Sequence, residues 1–194
     1  AFERMFQLLE KPIDDIFFTK AAEDRLFCQE ILRTIYGDPD LVVCENITQA
    51  KMANLKGRSV IFDAKCKLGD GTEVNIEVQK SNDDNCQKRV RYNGAILTTN
   101  VTEPGTKFQN VPNVCVIFIS RFDPFKKNKV VYHVDRVIRE TGEVVENGLF
   151  EIYVNAKAKD SSKVCELMKL FTENKVYNDK DFPEVSRVKR PYTE

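Results

Sequence analysis

The chain has 194 residues, with 30 basic and 30 acidic side chains and a formal net charge of zero, so it lacks the basic balance that usually marks a non-specific nucleic-acid binder, although a neutral total can hide a basic face. It is 42% hydrophobic and 31% charged, which excludes disorder as the main state and leaves enough chain for one domain with a core. No apolar run approaches the roughly 18 residues of a membrane span, and Phe2-Glu3-Arg4 is unlike a secretory leader.

Residues 1–11 place Met5, Phe6, Leu8 and Leu9 in a short helix-like pattern. Asp14 and Asp15 precede Ile16-Phe17-Phe18, which predicts a short turn or strand. From 21 to 36, Leu26, Phe27, Ile31, Leu32 and Ile35 recur at helical spacing, and Gly37-Asp38-Pro39 ends the helix. Glu30 lies at the edge of its apolar stripe. Residues 40–58 are less regular. Leu41-Val42-Val43 is either a short strand or a linker, and Ile47 to Ala53 alternates weakly, as a first strand would.

Ser59 to Lys80 reads as a β-hairpin. Val60, Phe62, Ala64, Cys66 and Leu68 alternate with Ile61, Asp63, Lys65 and Lys67, and after Gly69-Asp70-Gly71 Val74, Ile76 and Val78 alternate with Glu73, Asn75, Glu77 and Gln79. Side chains alternate faces along a strand. Both apolar rows must reach one core, because a one-residue slip turns a whole row over. Even-numbered residues therefore pair with even-numbered ones. A three-residue loop with Gly71 at its end satisfies this and suits a G1 bulge. Leu68 then faces Thr72, and Asp63 faces Glu77, with Gln79 on the same face. Opposed carboxylates are destabilising across a sheet, a cost that a hard cation such as Mg²⁺ would remove. The alternative is a solvated polar face in which Lys65 and Lys67 neutralise the acids.

Residues 82–98 read as a second helix, capped by Asn82 or Asp83, with Gly94 interrupting its apolar positions. Gln87 and Arg91 are four residues apart, Arg89 and Tyr92 three, so each pair shares a face. Guanidinium groups there suit phosphate contact; ordinary surface charge is the other reading. Thr102 to Asn110 is a loop. Val114 to Ile119 is a nearly continuous apolar run, as in a strand buried on both faces. Arg121 to Asn128 is a charged loop. Lys129 to Asp135 and Gly148 to Asn155 alternate like strands about a turn at Arg139 to Gly142. His133, the sole histidine, sits mid-strand with no second histidine for a metal cluster. Residues 161–173 form a third helix with a serine cap, and the stretch beyond Glu173 reads as a solvated tail. The six cysteines are at 28, 44, 66, 86, 115 and 165. No two stand at CxxC spacing, which argues against a zinc ribbon, and they read as reduced thiols of a cytoplasmic protein.

Asp63 followed by Glu77-Val78-Gln79 resembles the D…(D/E)xK signature of PD-(D/E)XK nucleases. Further stretches resemble the PD-(D/E)XK nuclease family transposases, relatives of recombination-promoting nucleases. They are Asp14-Asp15-Ile16-Phe17-Phe18, Asn54-Leu55-Lys56-Gly57-Arg58, Asn75-Ile76-Glu77-Val78-Gln79, Lys88-Arg89-Val90-Arg91-Tyr92 and Phe122-Asp123-Pro124-Phe125. The likeness runs from about residue 12 to about residue 175. It implies an α/β fold: a restriction-endonuclease-like αβββαβ core, its mixed central sheet flanked by helices, with a C-terminal strand pair and helix attached. The division it suggests is a lead-in over 1–20, the nuclease-like domain over 21–175 and a polar tail over 176–194.

The resemblance also implies an activity, metal-dependent DNA cleavage of transposase or recombination-promoting type. Asp63, Glu77 and the Val78 carbonyl would hold Mg²⁺, for which Mn²⁺ can substitute, and Asp63, Glu77 and Gln79 would be catalytic. Glu30 would be an accessory acid, Lys65 an accessory cation, and Gln87, Arg89, Arg91 and Tyr92 phosphate contacts. DNA is the expected partner, and a homodimer fits double-strand cutting. Gln79 stands where the motif has lysine; an amide carries no charge but can orient a water. Lys65 or an arginine of the second helix is then the candidate for the missing charge. The alternative is a catalytically weak or inactive member that binds DNA or protein.

Overall fold

The structure, a computed structural model, describes residues 12–192; the expected helix-like segment over 1–11 lies outside them. Helix α1 (Asp15–Ala21) is the first element among the described residues. It occupies the stretch expected as a turn or strand. Phe17, Phe18 and Ala21 are buried together, so the aromatic run is one face of a helix too short to show a period. Helix α2 (Arg25–Tyr36) starts where Asp24 accepts the N–H groups of Leu26 and Phe27. It stops at Gly37, whose φ of 65° gives the left-handed residue this kind of helix end requires.

Six strands follow: β1 (Val43–Met52), β2 (Val60–Leu68), β3 (Glu73–Gln79), β4 (Val114–Ser120), β5 (Val131–Val134) and β6 (Leu149–Asn155). Helix α3 (Cys86–Val101) joins β3 to β4. The chain closes with α4 (Lys163–Thr172) and α5 (Pro183–Lys189). The sheet order is β1-β2-β3-β4-β6-β5. Strands β1, β2 and β3 are antiparallel neighbours, β4 lies parallel to β3 and to β6, and β5 returns antiparallel on β6. This is the expected mixed α/β arrangement. The hairpin register is also as expected: Ala64 pairs with Ile76 and Lys67 with Glu73, Leu68 N–H donates to the Thr72 carbonyl at 2.9 Å, and Gly71 has φ 88°.

One face of the sheet carries Ala64, Cys66, Val74, Ile76, Ile117, Ile119, Ile152 and Val154 into a core closed by α1, α2, α4 and α5. The other face packs Phe62, Val114, Val116, Phe118 and Tyr153 beneath α3. Phe62 corrects an expectation, since alternation puts it with Ala64. Strand β2 turns at this point. Gln49, opposite Asp63, has φ 51° and the two are unpaired, although Thr48–Ala64 and Ala50–Phe62 are partners on either side. The local distortion sends Phe62 to the α3 side.

The stretch beyond Glu173 is no solvated tail. Phe182 and Val185 are buried in the main core. Arg187 pairs with Asp24 and Glu184. The Lys189 ammonium, wholly buried, donates to the carbonyls of Glu173 and Val176. Phe182→Ala is expected to cost about 3–5 kcal/mol, the usual price of emptying a buried phenylalanine site. Urea unfolding checks this, and an unchanged midpoint would mean that the segment contributes nothing to the fold.

Candidate active site

The site forms where β2 and β3 part. Their ladder ends at Ala64–Ile76. The next position toward the strand end belongs to Asp63, whose Oδ2 accepts the Val78 N–H at 3.0 Å. A carboxylate thus takes the place of a ladder carbonyl, which fixes it in the plane of the sheet. Glu77 lies on β3 with Asn75, both facing α3 and both buried. Asn75 Nδ2 donates to Glu77 Oε1 at 3.0 Å, and Asn93 of α3 donates to Asn75 Oδ1 at 3.3 Å. Two amides therefore orient one carboxylate, as buried polar groups require partners.

Arg89 reaches in from α3. One guanidinium nitrogen donates to Glu77 Oε2 at 3.3 Å and the other to Gln79 Oε1 at 3.2 Å. The Gln79 amide nitrogen donates to Asp83 at 3.4 Å. From the opposite helical layer, α1 brings Asp15 to within interaction range of both Asp63 and Glu77. Lys80 pairs with buried Asp14 just before α1. Asp15, Asp63, Val78, Gln79, Lys80, Ser81 and Arg89, with Ile13, line one cleft of about 170 Å³.

The electrostatics are those of a site short of positive charge. Burial, then the neighbouring Glu77 carboxylate, push Asp63 up from 3.8 to about 8, against the opposing Val78 hydrogen bond, with Asp15 adding to the rise. Burial likewise raises Glu77, against the pull of Asn75 and Arg89. Desolvation and like charges both disfavour the ionised form. A divalent ion acts in the opposite sense and would hold the acids ionised. Among the described residues no group of three His, Cys, Asp or Glu side chains forms a metal cage. A hard divalent ion can be held by one or two carboxylates with waters and phosphate oxygens completing its shell, so Asp63 and Glu77 are the residues here that could hold one.

The other sequence candidates are placed elsewhere. Glu30 is corrected: its carboxylate accepts the N–H groups of Glu184 and Val185 at 3.2 and 2.7 Å, tying α2 to the start of α5. Lys65 is also corrected. Its ammonium reaches diagonally along the hairpin to Glu73 at 2.6 Å, away from Asp63. Gln87 donates to the Pro124 carbonyl and with Arg91 lines a separate groove beside Arg136 and Glu151. Tyr92 donates to the Arg58 carbonyl at 2.5 Å. Of the four α3 candidates, only Arg89 meets the acids. Sequence reasoning missed Asp15, Asn75 and Asn93 as parts of the site. The signal for Asp15 was the acid pair ahead of the aromatic run; two uncharged amides carried none.

A family model described as PD-(D/E)XK nuclease family transposase matches residues 41–171. The match takes in β1 to α4 and so the Asp63–Glu77 hairpin and Arg89, while Asp15 precedes it. No curated protein and no solved structure matches the chain.

A buried acid held near 8 makes stability depend on pH with a definite sign. Asp63 binds its proton more tightly folded than unfolded, so its contribution is complete below about pH 4 and is lost as pH rises through about 8. In metal-free buffer Asp63→Asn is expected to raise the melting temperature at pH 8 by about 2–4 °C for each kcal/mol relieved. The difference from the parent should shrink toward pH 4, and a pH-independent difference would show that Asp63 is not the group that titrates.

Proposed function

The chain belongs to the PD-(D/E)XK nuclease family transposases, and from that premise we propose that it is a Mg²⁺-dependent DNA endonuclease whose acids are Asp63 and Glu77. The fold is accordingly of the restriction-endonuclease-like class. Nucleases of this family use divalent metals and act on DNA. The observation that carries the reading is the convergence of Asp63, Gln79 and Arg89 on a single cleft, with the buried Glu77 carboxylate beside it, repelling Asp63 and paired to the same arginine.

Asp63 and Glu77, with the Val78 carbonyl, would hold the ion. When bound, it lowers the pKa of a water and neutralises charge on the phosphate and the leaving oxygen. The chain's own groups do the rest. The Asp63–Val78 hydrogen bond and the Asn93–Asn75–Glu77 relay fix the two carboxylates before substrate arrives, and such preorganisation is the larger part of electrostatic catalysis. Gln79 orients the attacking water through its amide. Asp15, at the mouth of the cleft, adds a third negative charge near Asp63 and so strengthens the site's demand for a cation. Arg89 takes over the charge of the motif lysine that Gln79 lacks. It already touches the Gln79 side chain, and a planar guanidinium suits a phosphate with two oxygens to bind. Cutting both strands of a duplex takes two such sites, and a second copy of this chain is the proposed source.

A second reading is favoured by the Glu77–Arg89 ion pair: a binding module whose acid pair is closed by its own arginine. Nicking of supercoiled plasmid with Mg²⁺ or Mn²⁺ separates the two. The nuclease reading expects cutting by the parent, and a loss of about 10²-fold or more in Asp63→Ala and in Glu77→Ala, the scale seen when one preorganised charge is removed. Arg89→Ala should fall by about the same factor, with part of the rate returning in Arg89→Lys. Lys65→Ala should cut at the parental rate. A folded parent that never cuts supports the binding module, and cutting that survives loss of both acids rejects the site.

A further inference from the structure

Two stretches of the sequence resemblance play no part in the acid cluster: Asn54 to Arg58, in the β1–β2 turn, and Phe122 to Phe125, in the loop from β4 to β5. Both leave the sheet at the end where the cleft lies. The turn leads into β2 three residues before Asp63. Strand β4 runs parallel to β3, so Ser120 ends beside Gln79, and the Arg121 N–H donates to the Gln79 carbonyl at 3.1 Å. In sheet order the turn and the loop stand on opposite sides of β3. We propose that they are two arms that hold the DNA backbone on either side of the acid cleft, a proposal that rests on the nuclease reading above.

Charge is the first support. The total of the chain is zero, yet Arg121 to Lys129 holds four cations and one acid. That acid, Asp123, is turned inward. It accepts the N–H groups of Phe125, Lys126 and Asn128 and the Tyr132 hydroxyl. Arg121, Lys126, Lys127 and Lys129 are left exposed, as are Lys56 and Arg58 in the turn. Lys129 has Asp160 within electrostatic reach. None of the six has a salt bridge among the described residues.

Rigidity is the second support. Lys126 and Asn128 have φ of 57° and 54°, a left-handed conformation that persists only where surroundings over-determine it. Here Asp123 and Tyr132 do so, the tyrosine oxygen also accepting the Lys127 and Lys129 N–H groups. In the turn, Asn54 Oδ1 accepts from Lys56 and Gly57, and Asn54 Nδ2 donates to Tyr92, which itself donates to Arg58. A Cβ on Gly57 would stand 2.8 Å from Asn54 Nδ2. Helix α3 braces both arms, Tyr92 holding the turn and Gln87 holding Pro124, and it carries Arg89 between them. Cations on a preformed backbone lose less entropy when they bind phosphates.

The test uses the full chain carrying Asp63→Asn, so that binding is read without cutting, and a short fluorescent duplex titrated over a range of salt. Combined Lys126→Ala, Lys127→Ala and Lys129→Ala should weaken binding at least about tenfold and flatten the log–log salt slope by about 3; Lys56→Ala with Arg58→Ala should flatten it by about 2. Tyr132→Phe keeps every cation but loosens the loop, and should weaken binding while leaving the slope unchanged. If the Asp63→Asn parent binds and the folded arm variants bind equally well with the same slope, the arms are ordinary surface and the proposal falls alone. If that parent does not bind DNA, the nuclease reading and the arms fall together.

Discussion

The hydrogen bond from the Val78 N–H to the Asp63 carboxylate decides the rest of the site. A ladder position that would have joined two backbones instead joins a backbone to an acid. The strands part there, Phe62 crosses to the α3 side, and Asp63 becomes fixed in the sheet plane between the two helical layers. That position is also why the acid is buried, and burial next to Glu77 is why its proton is hard to remove. A fold that sought stability alone would put an amide or an aliphatic side chain there. The proposed cation would supply the charge that this buried carboxylate pair lacks.

Helix α3 converts this local feature into a site. It lies close to the sheet because Gly94 has no side chain: an added Cβ would meet Leu149 at 3.0 Å and Val116 at 3.6 Å. The helix residue that lowers local propensity is thus the one that permits contact. Close approach lets Asn93 reach Asn75 and Arg89 reach Glu77 and Gln79. The same helix faces set the roles of its neighbours, since Tyr92 turns to the β1–β2 turn and Arg91 to another groove.

How far the fold and site could be read from residues follows from this geometry. The hairpin was legible because two alternating rows and a glycine in the third loop position admit one register; the expected Asp63–Glu77 pair lies just past the last ladder pair, Ala64–Ile76, where Asp63 takes the Val78 N–H instead. Strand β4 was legible as an unbroken apolar run. The helix start moved, because Asn82, Asp83 and Asn85 are all good caps and the Lys88 N–H selects Asn85. Helix α5 escaped notice because a seven-residue helix shows two apolar side chains, and the burial of Lys189 depends on carbonyls supplied by Glu173 and Val176. Same-face reasoning was sound for Lys65 yet misassigned it, since a long side chain on a strand can serve a diagonal neighbour. Spacing along α3 offered two pairs of candidate residues, and only the docking of the helix shows that Arg89 is the one that meets Glu77 and Gln79.

That choice bears on the departure from the family motif. A lysine at the position of Gln79 would bring its charge on the same strand as Glu77, and the hairpin alone would build the catalytic group. Here the charge comes from a helix twelve residues beyond Glu77. The acids can be assembled by local pairing, whereas the cation arrives only when α3 docks on the sheet through Gly94. On the proposed reading, competence in this chain is therefore a property of the packed domain. The pairing of Arg89 with Glu77 partly neutralises the buried acid and keeps a guanidinium beside Gln79, where the motif lysine would have stood.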